Sequence, residues 1–182
     1  PAVRYATVTV NVLNRGVLPA SQIECIRVQN NGDVFIQWER AFDPENGFES
    51  YEIHSIQHGL VGTVFDINIT NLTHPGAGAD AGPIDYFVVT KSGCNGVVAA
   101  HSDTISSIHL TLNNPGNGTA VLQWTALSAT QNPDWNDYYY ILREYPAGNW
   151  TVVDSVAFGL GSHIDTIDVC SAFLNYRIEL PT

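Results

Sequence analysis

Apolar residues recur in this chain at every second position over short runs. Val34, Ile36 and Trp38 share one parity, and Phe35, Gln37 and Glu39 the other. Ala120, Leu122 and Trp124 repeat the inward set. Period-2 alternation over four to eight residues is the mark of a half-buried β-strand. Further strands are read around Val61, Val64 and Phe65, across Thr151, Val152 and Val153, and across the leading segment from Val3 to Leu13. Turn chemistry separates the runs: Asn31-Gly32, Asp43-Pro44, Asn46-Gly47, Pro75-Gly76, Asn114-Pro115-Gly116 and Pro146-Ala147-Gly148. No segment sustains a helical period with caps. Short strands with regular turn punctuation predict an all-β protein built of β-sandwiches.

The strands recur as a set. Asn31-Gly32-Asp33-Val34-Phe35-Ile36-Gln37-Trp38 aligns with Asn117-Gly118-Thr119-Ala120-Val121-Leu122-Gln123-Trp124. Tyr51-Glu52-Ile53 then corresponds to the Tyr138-Tyr139-Tyr140-Ile141-Leu142 run, and Tyr86-Phe87-Val88-Val89 to Tyr176-Arg177-Ile178-Glu179. The order holds and the spacing drifts by a few residues, as it does where loops differ. Two related modules of about 80–90 residues are expected: 21–101 and 102–182, after an N-terminal strand and linker over 1–20.

These residues carry a resemblance. A Trp, then Tyr-x-Ile, then a late Tyr-x-[Val/Ile] resembles the fibronectin type III domain, in which the three aromatic positions are core residues of strands B, C and F. The resemblance implies that role for Trp38, Tyr51 and Tyr86, and for Trp124, Tyr138 or Tyr140 (Tyr140 being the one adopted), and Tyr176. The Asn-Gly-x-[Val/Ala]-x-[Ile/Leu]-Gln-Trp wording, the Arg143 to Trp150 stretch, and Cys170 shortly before Asn175-Tyr176 are similar to tandem modules in large secreted surface proteins of Bacteroidota, of the gliding-motility-associated type. Against that pattern the second module stops after strand F, without strand G. The leading strand then reads as strand G of an upstream module or as a donor strand.

Composition narrows the function. Of 182 residues, 45% are hydrophobic and only 14% charged, with 7 basic against 18 acidic residues and a net charge of −11. Phosphate binding needs clustered Lys and Arg, and Lys91 is the single lysine, so nucleic acid is excluded as a partner. No apolar run approaches the ~20 residues of a membrane helix, so no membrane insertion is expected. The chain opens at Pro1 without Met or a signal peptide, which reads as a processed protein or an excised fragment. Cys25, Cys94 and Cys170 have no zinc spacing. They read as three buried thiols, or as one disulfide and one cysteine paired elsewhere. The resemblance implies the pairing Cys25–Cys94, because strand A begins at the pole where strand F ends.

Catalytic chemistry is hard to assemble from these residues. The six histidines, His54, His58, His74, His101, His109 and His163, have no H-E-x-x-H or other ligand spacing, and there is no nucleophile elbow and no phosphate loop. No cofactor and no enzyme are expected. Asp43-Pro44-Glu45-Asn46-Gly47 and Asp134-Trp135-Asn136-Asp137 occupy the same loop of the two modules. They read as solvated turns, with Ca²⁺ as the alternative for an oxygen-rich loop. Trp135 either stacks on a sugar or packs on its own loop. Asp103-Thr104-Ile105, Asp154-Ser155-Val156 and Asp165-Thr166-Ile167 resemble the O-glycosylation signal of Bacteroidota secreted proteins, which implies glycans at Thr104, Ser155 and Thr166. The competing reading is an Asp-capped turn. N-x-[ST] sequons also occur at Asn68, Asn71, Asn117 and Asn149.

The function expected is a non-catalytic structural or adhesive spacer of an extracellular bacterial surface protein, with neighbouring modules, polysaccharide or the cell surface as partners. One alternative is a fibre subunit that joins identical subunits by strand donation. The other is a sugar-binding accessory module of a secreted enzyme.

Overall fold

The computed structural model describes residues 4, 6–10, 16–131, 137–169 and 173–180, without the side chains of Cys94 and Ala129. Fourteen strands follow in chain order among them: β1 (Ile23–Val28), β2 (Val34–Trp38), β3 (Phe48–Ser55), β4 (Gly59–Val64), β5 (Asn71–His74), β6 (Asp85–Ser92), β7 (Val98–His101), β8 (Ile105–Ser106), β9 (Leu110–Asn113), β10 (Thr119–Trp124), β11 (Tyr138–Glu144), β12 (Trp150–Ala157), β13 (Ser162–Thr166) and β14 (Asn175–Glu179). Two single 3-10 turns, Cys94–Gly96 and Ala129–Gln131, interrupt them.

All strand pairs are antiparallel, and they form two sandwiches. In the first, the sheet β1-β2-β5 faces the sheet β4-β3-β6-β7, with β8 also on β6. In the second, β9-β10-β13 faces β12-β11-β14. The six shared strands keep the same order, while β7 and β8 have no counterpart beside β14 among the described residues, and the protein is a tandem of fibronectin type III-like β-sandwiches. The paired Asn-Gly turns that align the repeat put Gly32 and Gly118 at φ 76° and 82°, a backbone region open to glycine. A bulge recurs too, between Ile53 and His54 and between Ile141 and Leu142.

Alternation decides what is buried. Val34, Ile36 and Trp38 turn inward from β2 and meet Tyr51 and Ile53 of β3 and Tyr86 and Val88 of β6. The Trp38 ring stands edge-on to Tyr51 at 5.4 Å between centroids. In the second sandwich Leu122 and Trp124 meet Tyr139 and Ile141, with Trp124 edge-on to Tyr139 at 5.7 Å. Among the described residues the second core is the smaller, with seven buried hydrophobics against fourteen.

Four expectations need correction. First, the core tyrosine of the second module is Tyr139, fully buried, while Tyr140 is 37% exposed. Its register across from Ser155 and Glu179 puts Tyr140 on the outer face of the sheet. Second, the first module is longer than 21–101. Leu18 is part of its core, and β8 pairs with Asp85 and Tyr86 of β6. Third, residues 6–10 of the expected leading strand carry no strand, and Val8 and Val10 are exposed; the rest of that segment, apart from position 4, lies outside the described residues.

The fourth concerns the cysteines. Cys25 is a free thiol. The Leu18 amide donates to Ser92 Oγ (3.2 Å) and the Ser21 amide to Thr90 Oγ (3.0 Å), so residues 18–21 are the stretch beside the end of β6. From there the chain runs back along β6, and the Asp103 amide donates to Gln22 Oε1. Cys25 therefore lies roughly 20 Å of extended chain from the level of Cys94. A disulfide spans about 4.4–6.8 Å between Cα atoms.

Candidate functional site: the intermodular joint and the outer sheet faces

The segment between the sandwiches is fastened at every residue. Ile105 and Ser106 pair with Tyr86 and Asp85. Ser107, buried, donates its amide to the Ile84 carbonyl (2.8 Å), and its hydroxyl accepts the Ile84 amide (2.9 Å). Ile108, the next residue, packs against the second core. The His109 carbonyl accepts the Thr125 amide (3.0 Å) within the second module, while its Nδ1 lies 3.3 Å from the Ala79 carbonyl of the first.

Polar side chains cross the same boundary. Gln131, in the 3-10 turn of the second module, donates through Nε2 to Ser106 Oγ (2.7 Å). The Ser106 hydroxyl donates to Asp85 Oδ1, and Asp85 Oδ2 accepts from Gln57 Nε2 (3.0 Å). The Asp85 amide returns to Gln57 Oε1 (3.0 Å). Ser106 uses its one proton and its lone pairs in opposite directions, so the relay has a defined polarity and fixes each member's rotamer.

Each sandwich presents rings on the outer face of its second sheet. In the first, Phe87 of β6 is stacked between His54 of β3 (5.0 Å) and His101 of β7 (5.7 Å). Glu52 takes His54 Nε2 at 3.3 Å and Lys91 Nζ at 3.6 Å on that face. In the second, Tyr138 and Tyr140 are exposed on β11. Trp150 of β12 lies under the Arg177 guanidinium, 4.4 Å from ring to cation, and Arg177 also pairs with Glu179 at 2.8 Å. Cation–π contacts of this exposed kind hold an arginine against a ring for about 0.5–1 kcal/mol.

A shallow open cleft of about 380 Å³ lies at the loop end of the first module, lined by Asp43, Asn46, Phe48, Phe65, Asp66 and Ile67. Phe65 stands at its mouth, 72% exposed. Asp43 closes its own loop here: its carboxylate accepts the amides of Gly47 (2.7 Å) and Phe48 (2.9 Å). The matching loop of the second module, with Asp134, Trp135 and Asn136, lies outside the described residues. No cluster of three or more His, Cys, Asp or Glu among the described residues is placed to hold a metal.

Inside each module a tyrosine hydroxyl reaches across to the opposite sheet. The Tyr86 hydroxyl is 2.8 Å from His74 Nδ1, and the Tyr176 hydroxyl donates to Asp165 Oδ2 at 2.7 Å. The positions are equivalent: His74 pairs with Val34 and Asp165 with Ala120, the first inward residues of the repeat. Asp165 also takes Arg143 Nη1 at 2.9 Å, and Arg143 Nη2 lies 3.4 Å from Asp168. Burial pushes the Tyr176 phenol up to about 12, with the Asp165 hydrogen bond and charge adding to it.

The three glycosylation candidates, Thr104, Ser155 and Thr166, are exposed. Asp103 and Asp154 beside the first two are exposed as well, whereas Asp165 is committed to Arg143 and Tyr176. Cys170 lies outside the described residues. Trp38, Tyr51, Tyr86 and Trp124 are buried, and Tyr176 is half-buried against the second core. The joint, the two cross-sheet tyrosine links and the stacked rings were not anticipated. Their members are far apart in sequence, and only strand register brings them together.

No protein-family model matches the chain, and no curated protein does. Solved structures do. The chain is similar to the central fibronectin-III array of RIM-binding protein, at 16% identity and TM-score 0.41 over 91% of this chain and 64% of that one. It is similar to a two-domain fibronectin type III segment of chicken tenascin, at 14% identity and TM-score 0.30 over 91% and 89% of the two chains. It is similar to the chicken CNTN1 FN1–FN3 domains, at 14% identity and TM-score 0.34 over 88% and 58%. The chain thus spans less than two thirds of the RIM-binding protein and CNTN1 chains it matches. No helix among the described residues is long and apolar enough to cross a membrane.

Proposed function

We propose that the chain is a non-catalytic structural and adhesive segment of an extracellular bacterial surface protein, a spacer that holds two sandwiches at one angle. The observation that carries this reading is the joint. Ser107 is bonded into the first module and Ile108 is packed into the second, so no free residue separates them. A flexible linker would need several unbonded residues, as in Gly/Ser-rich connections. The sequence resemblance to secreted Bacteroidota surface modules motivates the compartment, and exposed Thr104 and Ser155 are the positions for O-linked sugar. The outer faces carrying His54, Phe87 and His101, and Tyr138, Tyr140 and Trp150, are the surfaces through which such a spacer would adhere.

Residual dipolar couplings of the intact chain test the spacer. One alignment tensor should fit both modules, and the double variant Ser106→Ala/Gln131→Ala should split it into two. Two independent tensors in the unmodified chain would reject the reading.

The cleft favours a second reading, a sugar-binding accessory module. Phe65 offers an exposed ring face, with Asp43, Asn46 and Asp66 as polar neighbours. Retention on a polysaccharide column that is lost in Phe65→Ala would support it.

A further inference from the structure

The two modules use the same tyrosine link with different partners, a histidine in one and an aspartate held by an arginine in the other. Around His74 the neighbours come from three elements. Tyr86 on β6 holds its Nδ1. His58, in the turn between β3 and β4, packs its ring against that of His74 at 5.1 Å, edge to face. Asp33, just before β2, lies close enough to act on it electrostatically, but its two oxygens already accept from the Gly76 amide and Asn31 Nδ2, both at 2.7 Å.

We propose that the His74–Tyr86 bond is an acid-sensitive link between the two sheets of the first module, weakened when His74 takes a proton beside His58, while the Asp165–Tyr176 link of the second module holds. The bond suits a neutral imidazole. A neutral ring with its proton on Nε2 can accept the Tyr86 proton at Nδ1. An imidazolium has no acceptor, so the buried Tyr86 hydroxyl must reverse and leave its own proton unpaired. Tyr86 cannot answer by ionising, because burial raises its phenol well above the usual range. A charged His74 also faces the His58 ring at 5.1 Å, which opposes the charge.

The sign follows from the folded-state preference. Burial lowers the His74 imidazole below its usual 6.5, His58 lowers it further, and Asp33 opposes them. The link is at full strength above 6.5 and is lost as pH falls through the lower folded value. The second module has no histidine in this position; Asp165 there accepts from both Tyr176 and Arg143.

The site sits at the end of the first module that meets the second. Tyr86 pairs with Ile105 of β8, and its neighbour Asp85 holds Ser106 of the joint. Loosening here would slacken the joint as well as the core.

The intact chain tests this by thermal unfolding between pH 7.5 and 5.0, with the Trp38 and Trp124 indole NMR signals reporting the two modules. The Trp38 midpoint should fall on acidification, with a several-fold rise in the first module's unfolding constant, and the Trp124 midpoint should move less. In His74→Gln, which keeps a polar group opposite Tyr86 but cannot titrate, the fall should largely vanish. An equal pH slope in the variant and the parent, or earlier loss of Trp124, would overturn the proposal. Should His74→Gln fail to fold, His58→Gln leaves the tyrosine bond intact and should reduce the slope; an unchanged slope there, or a His74 titration at or above 6.5 in the folded chain, would equally overturn it.

Discussion

Removing a single oxygen from Tyr51 or Tyr139 probes how the strand B to strand C loop is tied to each core. The Tyr51 hydroxyl accepts the amide of Ala41 (2.8 Å) and donates to the carbonyl of Ile67 (3.2 Å). The Tyr139 hydroxyl accepts the amide of Leu127 at 2.8 Å, the residue placed three after Trp124 as Ala41 is three after Trp38. Both rings are fully buried, and Ala41 and Leu127 are buried, so the two orphaned amides are shielded from water, whereas Ile67 is half-buried beside the open cleft. Phenylalanine fills the same space apart from the hydroxyl, and almost no cavity term enters. A buried amide left unpaired costs about 1–3 kcal/mol. Tyr139→Phe is therefore expected to destabilise its module by about 1–2 kcal/mol, and Tyr51→Phe, which also frees the half-buried Ile67 carbonyl, by at least as much, about 1–3 kcal/mol. Urea titration of the intact chain, read separately at the Trp38 and Trp124 signals, should show midpoint shifts at unchanged m. Losses below about 0.5 kcal/mol in both variants, or a greater loss for Tyr139→Phe, would refute the reasoning.

Trp38→Ala should cost about 3–5 kcal/mol, since the ring is fully buried against Tyr51; urea denaturation reads it directly. Gly161→Ala should destabilise the second module by about 1–3 kcal/mol, because its Cβ would come to 2.7 Å from the Trp124 carbonyl, a backbone atom that cannot move aside. Tyr176 predicts an alkaline limit: its phenol is raised from 10.0 to about 12, so its contribution is complete below 10 and is lost as pH climbs through about 12. Tyrosinate absorbance and the Trp124 signal should change together in that interval. At least one of Thr104, Ser155 and Thr166 should carry added glycan mass in peptides from native protein; unmodified mass at all three would remove the glycan reading.

The repeat was legible because the residues that define it sit on the inward parity of β2 and β10, where burial leaves little choice. Trp38, Tyr51 and Tyr86, and Trp124, all fell where period 2 and the fibronectin type III likeness put them. Tyr140 did not, for a physical reason. Three tyrosines in succession, Tyr138 to Tyr140, give alternation nothing to read, and the spacing from Trp124 to Tyr139 is two residues longer than that from Trp38 to Tyr51. The cysteine pairing failed because strand A was started at Cys25, whereas the chain meets the end of β6 already at Leu18. The joint was invisible for a different reason. Asp85, Ser106 and Gln131 are ordinary surface residues in sequence, and they acquire a role only when β8 pairs with β6.

The cross-sheet links show what the repeat conceals. An alignment by identity passes over His74 and Asp165, yet they occupy one position in two copies of a fold. The substitution tracks the core around it. Fourteen buried hydrophobics support the first module among the described residues, and there an imidazole suffices to hold Tyr86. Seven support the second, and there the same position is an aspartate, paired with Arg143 and bonded to Tyr176. A largely buried ion pair is a weak source of stability in itself. Its strength is specificity: Arg143 comes from β11, Asp165 from β13 and Tyr176 from β14, so only one register of three strands satisfies all three groups. A small core selects poorly among registers, because slipped pairings still bury similar area. On this argument Asp165→Asn should do more than lower stability. It should broaden the Trp124 environment into several slowly exchanging signals, while the first module, whose register is fixed by its larger core, keeps one.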